Sequence, residues 1–95
     1  MNTFQKTDML YDYTWNETRE DDNKRVQGFP EDYLLFRNEG FEVLPFIIRY
    51  MRARRLDTIS AFHTIESAIR EGMPKNVIGH QAVRTWLDNN LIGLV

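Results

Sequence analysis

The chain has 95 residues, of which 42% are hydrophobic and 13% aromatic, with a formal net charge of −2 and no cysteine. That length suits one domain with a single modest core, and the composition is that of a globular protein rather than a disordered one. Without cysteine there is neither a disulfide scaffold nor a Cys-ligated zinc or iron–sulfur site.

The polar start has no basic-then-apolar leader pattern, and no segment nears the ~20 apolar residues of a membrane span. These features predict a cytoplasmic chain with no membrane partner. Its size and compactness are those of small proteins encoded by phages and mobile elements. Charge is unevenly spread. Residues 1–44 carry five Lys/Arg against ten Asp/Glu, and residues 45–95 carry seven against four. Such asymmetry marks either a partner for one half or two halves that attract each other.

In chain order, residues 1–8 read as a loose start. MLYDYTW, Met9 to Trp15, puts Tyr11, Tyr13 and Trp15 on one side of an extended backbone. Period two with aromatics predicts a short strand or an arm packed on the core. NETREDDNKRVQG is highly charged, lacks an apolar period and ends in Gly28, so it reads as a solvated loop. Residues 1–28 thus form an arm and charged loop, and residues 29–95 a helical domain.

Pro30 followed by Glu31 and Asp32 predicts a short helix over Glu31–Arg37, closed by Asn38 and Gly40. EVLPFIIRYMRARRL places Val43, Leu44, Ile47, Ile48, Tyr50 and Met51 on one wide apolar arc, at ~100° per residue. That width predicts the central helix, from near Glu42 to near Arg55, with Pro45 in its first turn. Asp57 or Thr58 caps the next helix. Its inner face is Ile59, Phe62, Ile65 and Ile69, and Gly72 and Pro74 end it. The last helix runs from about Gly79 to Asn89, with Ala82, Val83, Trp86 and Leu87 inward. The apolar tail Leu91–Val95 suits a strand. The expected fold is mainly α: a single-domain bundle of about four helices, with a short N-terminal strand or arm and a C-terminal strand beside it.

The outer face of the last helix carries His80, Gln81, Arg84, Thr85 and Asp88. In helix-turn-helix proteins such a face meets base edges. Arg pairs with guanine, Gln with adenine, and a Thr methyl touches thymine. Arg49, Arg52 and Arg55 share an arc of roughly 120° on the central helix and could contact phosphates. Against DNA stand Asp88, which would repel a phosphate, and the long connection from Gly72 to Gly79. The arginines also suit a helix C-terminus through its dipole alone.

The acidic loop lacks EF-hand spacing and is broken by Arg19, Lys24 and Arg25, so it is a poor cation site. Its carboxylates Glu20, Asp21 and Asp22, with Tyr11, Tyr13 and Trp15, form instead a candidate protein-binding surface. His63 and Glu66 are spaced i, i+3 but lack an evident third metal ligand. Ser60 near His63 has no oxyanion site, and no phosphate-cradling glycine loop exists. No catalytic residue, metal or cofactor is assigned.

The function expected first is a non-catalytic protein-binding module, a small regulator, adaptor or inhibitor. The alternative is a DNA-binding regulator reading with His80, Gln81, Arg84 and Thr85. It would need a homodimer to cover a useful site, and LIGLV is a candidate dimer strand.

Overall fold

The structure is a computed structural model, and it describes residues 4–16 and 34–91. The expected charged loop and C-terminal strand lie outside the described residues, as do Glu20, Asp21 and Asp22. Among the described residues three α-helices pack together and no sheet forms. They are α1 (Gly40–Arg54), α2 (Ile59–Ser67, continued by a π-helical turn Ala68–Gly72) and α3 (His80–Asn90). None is long and apolar enough to cross a membrane.

Helix α1 is central, as its wide apolar arc implies. Of that arc Val43, Ile47, Tyr50 and Met51 are buried and Leu44 and Ile48 half-buried, while Phe46, which the arc did not include, is fully buried. It begins two residues earlier than expected, because Glu39 caps it by accepting from the Phe41 N–H at 3.3 Å. A carboxylate there also meets the positive end of the helix dipole. Pro45 therefore sits in the second turn, where it removes the bond that an N–H would give to the Phe41 carbonyl. The helix closes in a Schellman motif: the Arg55 N–H bonds the Arg52 carbonyl, and the Leu56 N–H bonds the Met51 carbonyl. Arg55 takes the left-handed conformation this motif demands, at φ 57°.

Thr58 caps α2 by accepting from the Ala61 N–H at 3.1 Å. Phe62, Ile65 and Ile69 are fully buried against α1, each contributing roughly 1.5–3 kcal/mol. Ile59, the first residue of α2, is 45% exposed, contrary to expectation. The end of α2 widens into a π turn, in which the Met73 N–H reaches the Ala68 carbonyl at 2.9 Å.

The expected helix over Glu31–Arg37 is not formed in its described part. Leu34 makes an antiparallel bridge with Gly79, and the Leu35 N–H donates to the Ile78 carbonyl at 2.6 Å. Backbone bonding to a distant segment replaces the helix ladder here. Leu35 is buried in the core by it.

The N-terminal arm crosses all of this as extended chain broken by one 3-10 turn, Lys6–Asp8. Tyr11, Tyr13 and Trp15 are half-buried, while Leu10, Asp12, Thr14 and Asn16 are exposed, as period two requires. Among the described residues the arm makes a single parallel bridge, Thr14 to Glu39, and no strand.

Candidate functional site

Helix α3 carries the expected reading face, and the structure divides that face in three. His80 is not on the surface. It is 1% exposed and meets the Phe46 ring edge-on at 5.4 Å. Its Nδ1 accepts from Arg49 Nη2 at 3.2 Å, so Nε2 carries the proton, bonded to the Leu34 carbonyl. Burial, and then the Arg49 charge, lower its pKa to about 4. The inner face of α3 is His80, Val83 and Leu87, spaced i, i+3, i+7. Ala82, expected inside, is exposed. Taking the histidine as polar turned the expected face by about one residue.

The second part of the face is an ionic cluster on Asp88. Its carboxylate accepts from Tyr50 Oη at 2.8 Å and from Arg54 Nη1 at 2.7 Å. Arg84, one turn back, lies 3.8 Å away. Burial and Asp88 together raise the Tyr50 pKa above its usual value. Arg84 is thus held beside a carboxylate of its own helix. Arg49 is half-buried, its pKa lowered by desolvation, whereas Arg52 and Arg55 are exposed.

The third part is a groove. Gln81, Thr85 and Asn89 recur every four residues along α3 and face Leu34 and Ile78 across an open trough of ≈ 660 Å³. Ala82 and Trp86 complete its apolar lining. Leu34 and Ile78 are 44% and 45% exposed. Among the described residues, no charged side chain lines the groove. Sequence reasoning found Gln81 and Thr85 but missed Leu34, Ile78, Trp86 and Asn89. Leu34 and Ile78 come from two linkers 44 positions apart, brought together by the Leu34–Gly79 bridge and the Leu35 to Ile78 backbone bond, so no local pattern announces them.

The aromatic candidates on the arm are tied down by the chain itself. Glu66, fully buried on α2, accepts from the Leu10 N–H at 3.0 Å, the Tyr11 N–H at 3.2 Å and Tyr13 Oη at 2.7 Å. Arg70 lies over the Tyr13 ring at 4.8 Å and donates to the Arg37 carbonyl. Trp15 lies against Gly40 and Phe41, with Lys6 over its ring at 4.7 Å. His63 bonds the Asp8 carbonyl at 2.7 Å. His63 and Glu66 therefore hold the arm, each through a different stretch of backbone. The chain matches no family model, and neither a curated protein nor a solved structure matches it.

Proposed function

We propose that the protein is a non-catalytic protein-binding module whose contact surface is the groove between α3 and the Leu34–Ile78 pair. The observation that carries this reading is the groove's chemistry: apolar walls, amide and hydroxyl side chains and, among the described residues, no charge. Such a surface fits an apolar, weakly charged segment of another protein. Trp86 is the residue type that most often anchors such contacts. Exposed apolar patches of this kind are generally interaction sites.

The alternative, a DNA reader, retains Gln81 and Thr85 on the exposed face. It loses His80 to the interior, and Arg84 already stands beside Asp88. A phosphate-binding role for Arg49 would have to break its contact with His80.

The test is to compare the proteins captured by the wild type and by Ala82→Glu. Ala82 is exposed, so a carboxylate there changes the groove and spares the core. The expected outcome is loss of a specific captured protein with an unchanged melting temperature. Identical capture by both would overturn the reading.

A further inference from the structure

A second concavity lies at the C-terminal end of α1. It is a pocket of ≈ 240 Å³ with Phe4, Ile48, Met51 and Leu56 as its apolar lining. Phe4 is fixed there by stacking on Phe62, with ring centroids 4.7 Å apart. Met51 and Leu56 are the two ends of the hydrophobic contact that accompanies a Schellman motif. Arg52 and Arg55 also line the pocket, against one carboxylate, Asp57. Both arginines are exposed, and no ion pair with either is formed among the described residues.

Arg55 adds an independent observation. It occupies the left-handed position that helices ordinarily give to glycine, at φ 57° and ψ 40°. An L-residue is strained there, and glycine would relieve that strain. Strain retained at one residue, with its guanidinium at the mouth of an apolar pocket, points to a use for the side chain.

We propose that this pocket binds a small monocarboxylate with an aryl-bearing hydrocarbon body, its carboxylate held by Arg52 and Arg55. Guanidinium forks match carboxylate geometry, and the apolar lining removes the hydrocarbon body from water. The volume is below the several hundred Å³ of a typical drug-sized site, which excludes a long acyl chain. This proposal is independent of the groove on α3 and of what binds there.

The test is an NMR titration of the full chain with 3-phenylpropanoate. 3-Phenylpropanol serves as the uncharged control and propanoate as the control without a ring. Saturable shifts are expected at the amides of Ile48, Met51 and Leu56, with both controls about tenfold weaker or more. Arg52→Gln should weaken binding about tenfold. Arg55→Gly is the decisive variant: it should melt at a higher temperature than the wild type and yet lose affinity. Absence of saturable shifts, equal binding of the alcohol, or full affinity in Arg55→Gly would each overturn the proposal.

Discussion

Tyr13 donates its hydroxyl to Glu66 at 2.7 Å, across 53 positions of sequence, and this bond closes a buried clamp on the arm. The same carboxylate takes the Leu10 and Tyr11 backbone N–H groups. A buried carboxylate is tolerated because its oxygens are filled by these donors. Burial and the Glu66 bond both raise the Tyr13 pKa, so its hydroxyl stays protonated and donating. Glu66→Ala should therefore release residues 10–13. The expected cost is about 2–4 kcal/mol in urea unfolding, since hydrogen bonds to charged groups contribute about 1.5–3 kcal/mol each and the freed donors recover some water. Limited proteolysis near Tyr11 should quicken in parallel. A variant as stable and as protease-resistant as the wild type would show that the arm is held by its aromatic contacts alone.

What was legible in the sequence was whatever depends on local periodicity. The arc over Val43–Met51, the Thr58 cap and the stop near Gly72 all follow from spacing and capping chemistry within one element. The failures share a different cause. Leu34–Arg37 looks helical by its charges, yet its backbone bonds to Ile78 decide its form. His80 and Glu66 look like surface polar residues, yet each is buried because a distant partner satisfies it. On α3 only His80 leaves the expected outer face, since long-range polar partners are invisible to a helical wheel, while Gln81, Arg84 and Thr85 are exposed. The period-two pattern of the arm was readable, but whether it would pair as a strand depended on Glu39 and Glu66 competing for its donors.

His80 makes the fold sensitive to acid. Its pKa is about 4 in the native state against 6.5 for the free side chain, so the native state keeps it neutral. The unfolded chain takes up a proton below 6.5 and the folded chain does not. Its contribution is thus fully present above the unfolded pKa and is lost as pH falls from 6.5 toward 4. Between about pH 7 and about pH 4.5 the loss should be about 2–3 kcal/mol, at 1.36 kcal/mol per unit. Carboxylates titrate nearby, so the informative quantity is the difference from His80→Gln. That variant should start less stable at neutral pH but lose less on acidification. Parallel pH curves for the two proteins would remove His80 as the cause.

Gly40 is required by closeness rather than by backbone freedom. A Cβ built on it would fall 2.5 Å from two atoms of the Trp15 ring. Alanine improves helix propensity by up to about 1 kcal/mol, but the clash outweighs this unless Trp15 leaves its site. That ring sits edge-on to Phe41 at 5.1 Å, with Lys6 above it. Gly40→Ala is expected to destabilise by about 1–3 kcal/mol. In a Trp86→Phe background, its emission should shift to the red as Trp15 becomes solvated. An unshifted emission with unchanged stability would mean that the ring slides aside at no cost.

Asp88 sets the charge of the α3 surface and so bears on which partner that surface can take. It accepts from Tyr50 and Arg54 and lies beside Arg84. With the aspartate in place, these arginines are partly neutralised, and the wild type is expected to bind a mixed-sequence duplex weakly even at low salt. Asp88→Asn keeps a hydrogen-bonding group for Tyr50 but releases both cations from the carboxylate. It should lose about 1 kcal/mol of stability and acquire non-specific duplex binding that weakens with salt. The added slope in log affinity against log salt should be about −2, since each further phosphate neutralised adds about −0.9. The comparison decides between the two functional readings. Tight, sequence-selective binding by the wild type, lost in Gln81→Ala and Thr85→Ala, would establish DNA as the partner and leave the groove without a protein to hold. Weak wild-type binding, with the increase confined to Asp88→Asn, would mean that the carboxylate excludes nucleic acid from a surface whose apolar trough serves a protein.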